Sequence, residues 1–244
     1  MEFYLKHNSF CSEFFGMKCG DVEPNYQSKK ITDVELSNLV KISCADGFEF
    51  LALRFDPSNL DLLAAAALCD FVFIECLLTF SLDLNNIRQW PYEKFNDHIA
   101  SDGDIEAISR ISRDGFKFDR FHSDPMIDDC DADELKAVWS ANCVRGRSDK
   151  VFVARSSDGR VLGFNACKIS ADAVVIDLIA VDGAYHKNGI ASKLLQMCVQ
   201  EYRGKKRKLL VGTQANNKAS LNLYLKHGLS LSSVHYTFHR HAHT

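Results

Sequence analysis

Apolar positions in the second half of the chain change period several times, and each change marks an element. Val174 to Val181 is apolar at every position except Asp177, the pattern of a buried strand. Shortly afterwards Ile190, Ala191, Leu194, Leu195 and Cys198 recur at helical spacing, and Gly189 stands where that helix opens. Helical periodicity also covers Ala132 to Val144, while Val151 to Ala154, Val161 to Lys168, Leu209 to Gly212 and Leu229 to Phe238 read as strands. Asp158-Gly159 lies between the first two of these strands and makes them a hairpin, because this pair tolerates the positive φ of a tight turn. The result is a mixed α/β unit around a largely antiparallel sheet.

The first half is less explicit. Ile31 to Ile42 and Leu60 to Leu68 have helical patterns, the second opened by the turn residues Asp56-Pro57-Ser58-Asn59. Phe48 to Leu53 and Phe71 to Phe80 read as strands, so a smaller α/β domain precedes the larger unit. Residues 84 to 118 mix charge, glycine and few apolar positions, and are expected to form a connection with a helix over Asp104 to Ser112. One reading of Phe14-Phe15-Gly16 is plain core packing at a strand end. The expected division is 1–118, an N-terminal α/β domain and connection, and 119–244.

Two segments carry chemistry. The turn His186-Lys187-Asn188-Gly189-Ile190-Ala191-Ser192 leads from a strand into a helix. The first amides of a helix lack intrahelical partners and lie at its positive dipole end, so such a turn suits phosphate oxygens, here a pyrophosphate. The second segment is a helix with Asn217 at its start and Gly228 past its end, both favoured positions for those residues. Asn217 and Tyr224 are seven residues apart, almost two turns, and share a face.

On these residues the chain resembles the GNAT superfamily of acetyl-CoA-dependent N-acetyltransferases. The signature [QR]-x-x-G-x-[GA] falls on His186 to Ala191, with His186 in place of the usual Gln or Arg, and N-x-x-[AS]-x-x-x-Y-x-x-x-G-[FL] falls complete on Asn217 to Leu229. The resemblance implies the GNAT fold, a central mixed, largely antiparallel sheet flanked by helices, with acetyl-CoA as co-substrate. A narrower likeness is to the dTDP-fucosamine acetyltransferase family. Asn8 to Gly20 is similar to its W-D-S-x-F-F-G-x-x-x-G opening without the Trp-Asp, and Arg120 to Pro125 with Trp139 and Asn142 looks like its joining segment.

Composition narrows the partners. A formal net charge of −3 over 244 residues leaves no excess cation for a nucleic-acid backbone. The basic run Arg203 to Lys208 is read as a solvated loop, with attraction of the CoA phosphates as the other reading. Nine cysteines, an odd number with no C-x-x-C pair, read as buried thiols in a reducing, cytoplasmic setting, with no metal site. No apolar stretch reaches membrane-spanning length. The tail Phe238-His239-Arg240-His241-Ala242-His243-Thr244 alternates as a final strand that frays, rather than a metal tract. A homodimer is a further expectation.

Acyl transfer needs an oxyanion to be stabilised and a thiolate to leave. Backbone amides at an irregular stretch of Leu178, Ile179, Ala180 and Val181 are expected to meet the first need and hold the pantetheine. Tyr224 is placed to protonate the thiolate, a role the resemblance also gives it, or else packs beside the cofactor. Asn217 either contacts the cofactor arm or simply caps its helix. Asp177, His235 and His239 have the chemistry of a general base, and a substrate amine of depressed pKa needs none. The expected activity is N-acetylation of a nucleotide-linked deoxy-amino sugar. The rivals are N-acetylation of a peptide or small amine, and a CoA-binding module without turnover.

Overall fold

A computed structural model describes residues 3–25, 33–87 and 99–242. They fall into two compact units, and the chain passes between them more than once. Unit 1 draws on Met1–Leu77, Ser123–Met126 and Ser233–Thr244, and unit 2 on Leu78–His122 and Ile127–Ser232. The expected cut at residue 118 therefore lies inside unit 2.

Unit 1 contains β1 (Phe3–His7), α1 (Ser9–Phe15), β2 (Cys19–Pro24), α2 (Asp33–Ala45), β3 (Phe50–Phe55) and α3 (Leu60–Leu68), with parts of β4 (Val72–Asp83) and β9 (Ser230–His241). Its strand order is β1-β2-β3-β9-β4. β1 pairs antiparallel with β2, β2 parallel with β3, and β3 antiparallel with β9. The core gathers Phe3, Leu36, Leu53, Phe55, Leu62, Phe71 and Phe238.

The Phe14-Phe15 segment is a helix and not a strand end. The Asn8 side chain accepts the Cys11 N–H at 3.0 Å to start α1, and Gly16, at φ 66°, stops it in the left-handed conformation. The expected start of α2 at Ile31 lies outside the described residues, as do residues 88–98 of the connection.

Unit 2 holds α4 (Ile105–Gly115), α5 (Asp129–Asn142), β5 (Lys150–Arg155), β6 (Val161–Ile169), β7 (Ala173–Val181), α6 (Ile190–Tyr202), β8 (Lys208–Gln214) and α7 (Lys218–Lys226). Its strand order is β4-β8-β7-β6-β5, with β5, β6 and β7 antiparallel and β7 and β8 parallel. Two cores lie on the two faces of this sheet. Leu194, Leu195 and Cys198 of α6 pack with Val174, Ile176, Leu209 and Val211, whereas Ile108 and Ile111 of α4 pack with Val153, Phe164, Leu178 and Ala180.

β7 contributes to both cores because it changes face partway along. Cys167 pairs with Ile176 but its neighbour Ala166 pairs with Leu178, so Asp177 is an extra residue, a β-bulge. Side chains alternate across a strand with period two, and one inserted residue reverses every later position. Val174 and Ile176 thus face α6, while Leu178 and Ala180 face α4.

Candidate active site

The bulge also ends a ladder. β7 pairs with β8 from Ala173↔Lys208 to Ile176↔Val211, yet β7 runs on to Val181 and β8 to Gln214. Beyond the bulge β7 stays paired with β6, so its other edge turns alternate N–H and C=O groups to an opening. Ile179, Ala180 and Val181 on one side, and Gly212, Thr213 and Gln214 on the other, line a cavity of about 610 Å³. That volume falls within the ordinary range for small-molecule sites, roughly 300–1,000 Å³.

The turn after β7 supplies a second wall. Asp182 starts it: its Oδ1 accepts the Ala184 N–H at 3.0 Å, and its Oδ2 lies 2.9 Å from Arg110 and 3.6 Å from Arg160. The Arg110 hydrogen bond holds the Asp182 carboxyl below its usual range. The His186 ring bonds the Val181 carbonyl oxygen at 3.0 Å through Nε2, a local latch between the turn and β7. Lys187 and Gly189 both adopt positive φ, 64° and 77°. Such residues curl the backbone so that successive amides converge. Within α6 the Lys193 N–H bonds the Gly189 carbonyl at 3.0 Å, so the amides of Ile190, Ala191 and Ser192 precede the helical ladder. His186, Lys187, Gly189, Ile190, Ala191 and Ser192 all line the cavity; Asn188 does not.

α7 forms the third wall. Asn217 caps it, its Oδ1 accepting the Ser220 N–H at 3.2 Å, and the same residue lines the cavity. Tyr224 shares that face and is 1% exposed. Its ring lies 5.7 Å from the ring of Phe80. Burial drives the phenol pKa well up, and a hydrogen bond with the Ser220 side chain offsets only part of that, so the group holds its proton throughout the physiological range.

The base candidates are occupied or elsewhere. Asp177 accepts a hydrogen bond from Trp139 Nε1 at 2.9 Å and pairs with Lys168 at 2.7 Å, so its carboxylate is engaged. His235 and His239 belong to unit 1, whereas every residue lining the cavity belongs to unit 2. His122, in the expected joining segment and not among the base candidates, is tied between Asp119 and Asp133 at 2.7 and 2.9 Å, with only 4% of its side chain exposed. The basic run sits at the Lys208 end of β8, six residues or about 20 Å from the cavity end at Gln214. There Arg203 bonds the Ile87 carbonyl, Lys205 pairs with Glu201, and Lys206 bonds the Ser170 carbonyl.

Three supporting residues escaped the sequence pattern. Asn165, fully buried, donates from Nδ2 to the Leu194 carbonyl at 3.1 Å and ties β6 to α6. Gly163 permits β6 to approach β7, and an isolated glycine inside a strand is a signal of close approach. Phe116, just after α4, also lines the cavity.

Comparison with known proteins agrees with this architecture. Residues 107–229 match the Acetyltransferase (GNAT) family, and the chain belongs to that family. That family generally uses acetyl-CoA. A stretch of 138 residues is 30% identical to the spore coat polysaccharide biosynthesis protein SpsD of Bacillus subtilis (strain 168), spanning 56% of this chain and 47% of that one. The chain thus matches about half the length of this relative. A functionally unknown conserved protein from Staphylococcus epidermidis ATCC 12228 superimposes with a TM-score of 0.63 at 14% identity, over 91% of this chain and 84% of that one. A GCN5-related N-acetyltransferase from Sphaerobacter thermophilus does so with a TM-score of 0.62 at 13% identity, over 98% and 76%. At these identities the likeness is one of fold. Among the described residues no helix is long and apolar enough to cross a membrane.

Proposed function

We propose that the unit 2 cavity holds acetyl-CoA and that the enzyme acetylates the amino group of a nucleotide-linked deoxy-amino sugar. The observation that carries the first part is convergence. The released edge of β7, the amide turn opening α6 and the Asn217–Tyr224 face of α7 all line one cavity. In this reading the amides of Gly189, Ile190, Ala191 and Ser192 hold the pyrophosphate. The free edge of Leu178–Val181 pairs with the pantetheine amides as a strand would, and one of its N–H groups faces the thioester oxygen.

The acceptor amine attacks the carbonyl carbon, the C–S bond breaks, and the thiolate takes the Tyr224 proton while the amine sheds its own to water, from which the phenolate is reprotonated. With Asp177 engaged, the amine enters already neutral, which the electron-withdrawing ring of an amino sugar favours by lowering its pKa. The acceptor class is supported by the likeness to the spore coat polysaccharide protein. The test is thiol release from acetyl-CoA across a panel of amino-sugar nucleotides, peptides and simple amines, with products identified by mass. Acetylation of amino-sugar nucleotides above the rest is expected. Turnover with a peptide alone transfers the activity to the general N-acetyltransferase class, and binding of acetyl-CoA without turnover on any amine makes the protein a CoA-binding module.

A further inference from the structure

Apart from the residues that line the cavity, unit 1 brings together Asp124, His239 and His241. His239 and His241 are two apart on β9 and therefore project to the same face. Asp124 arrives from Ser123–Met126, the short stretch between α4 and α5 that belongs to unit 1. Nδ1 of His239 and Nε2 of His241 both aim at one atom, Oδ2 of Asp124, at 2.7 and 2.8 Å. The other carboxylate oxygen accepts the Met126 N–H at 2.9 Å, which fixes the rotation of the carboxylate. The Phe50 ring meets both imidazoles edge-on, with centroids 4.7 and 5.1 Å away, and fixes theirs.

The geometry points to a mononuclear divalent transition-metal site, and we propose that Asp124, His239 and His241 bind one Zn²⁺ or a similar ion. The three donor atoms lie within 4.8 Å of one another, and this is the cluster of ligating geometry found among the described residues. Two imidazoles and a carboxylate are a donor set for Zn²⁺ and its first-row neighbours rather than for Mg²⁺ or Ca²⁺. Metal bonds of about 2.0–2.1 Å in a tetrahedral site place neighbouring donor atoms roughly 3.3 Å apart. The pairs here need to open by about half an ångström, as an ion takes the place of the shared protons.

Two ligands are deeply buried, whereas the His241 side chain is 20% exposed, so His241 is the solvent-facing member of the set. The orienting contacts from Met126 and Phe50 are what a ligand set needs around it to keep its aim. The bound ion would tie the Ser123–Met126 stretch to the end of β9.

A plain hydrogen-bonded triad makes a different prediction, so titration separates them. Zn²⁺ alone is added to the chelator-treated full-length protein and followed by calorimetry, and Co²⁺ is substituted and followed by its visible absorption. One ion per chain is expected, with binding weakened at least about tenfold in both Asp124→Asn and His241→Ala and unchanged in His235→Ala, which alters the same strand outside the cluster. Asp124→Asn is the decisive variant, because His239 and His241 can chelate weakly through imidazoles alone. Absence of saturable binding, or affinity that survives Asp124→Asn, overturns the proposal. If Asp124→Asn fails to fold, His241→Ala and the Co²⁺ spectrum of the wild-type protein decide it: octahedral or featureless absorption counts against the site.

Discussion

Gly163 on β6 and Ala180 on β7 approach so closely that a Cβ added to the glycine would stand 2.7 Å from the Ala180 carbonyl oxygen. The same atom would meet Val181 Cα at 3.1 Å and Leu194 at 3.2 Å, so strand backbone and α6 both close on this point. Gly163→Ala must therefore push β7 away from β6 along the stretch whose other edge lines the cavity. A loss of about 1–3 kcal/mol is expected from overpacking. A raised KM for acetyl-CoA should accompany it in the fraction that stays folded. Thermal melting and steady-state kinetics check both, and unchanged KM would separate the strand position from cofactor binding.

Gly189 is a different case, because its added Cβ would meet nothing within 4 Å. The constraint is conformational: at φ 77° any L side chain is strained, by roughly 1–2 kcal/mol. Gly189→Val is expected to lose acetyl-CoA binding by distorting the amide turn and by filling the space before it, while the fold survives. Calorimetry at wild-type affinity in a folded variant would remove the phosphate turn from the account.

For Tyr224, replacement by Phe keeps the ring against Phe80 and removes the proton and the Ser220 bond. A fall in kcat of roughly 10²–10⁴-fold is expected, with acetyl-CoA affinity nearly unchanged. Single-turnover measurements keep product release from masking the effect. An unaltered chemical step would assign this tyrosine to packing.

How far the sequence could lead is visible in β7. Its apolar run, the helical spacing after Gly189 and the Asn217-to-Tyr224 interval are local patterns, and all three elements form where those patterns lie. The bulge is not local. Whether Asp177 continues the alternation or is squeezed out depends on which β6 residue faces it, and nothing within Val174–Val181 encodes that. The same holds for Asp124, whose partners lie more than a hundred residues away and meet it only after folding. Helix α1 was open to sequence reasoning, since Asn8 and Gly16 are ordinary start and stop signals around a seven-residue helix. The two adjacent phenylalanines carry no helical period of their own and are equally compatible with a strand end.

A pH prediction follows from His122. Burial by itself would lower its pKa, but hydrogen bonds to Asp119 and Asp133 outweigh that and hold it above the ordinary 6.5. Protonation is thus favoured by folding, so its contribution is complete below about pH 6.5 and disappears as pH rises through the higher folded value. The two aspartates are held below 3.8: burial works against this, and Lys136 beside Asp119, Lys117 beside Asp133 and His122 itself prevail. Their share is lost in acid, below about pH 4. Melting temperature measured from pH 5 to 9 should fall less steeply in His122→Gln than in the wild type. Parallel curves would mean that the imidazole carries no charge between these carboxylates.

The central claim is that the opening between β7 and β8 receives acetyl-CoA, and crystallography of the complex tests it most directly. The account places the pyrophosphate within about 3 Å of the amides of Gly189 to Ser192, a hydrogen-bonding distance. It places the thioester between Leu178–Val181 and Gly212–Gln214, with Tyr224 Oη the nearest side-chain donor to the sulfur. Density for acetyl-CoA outside this cavity, or a thioester sulfur beyond the reach of Tyr224, would contradict it.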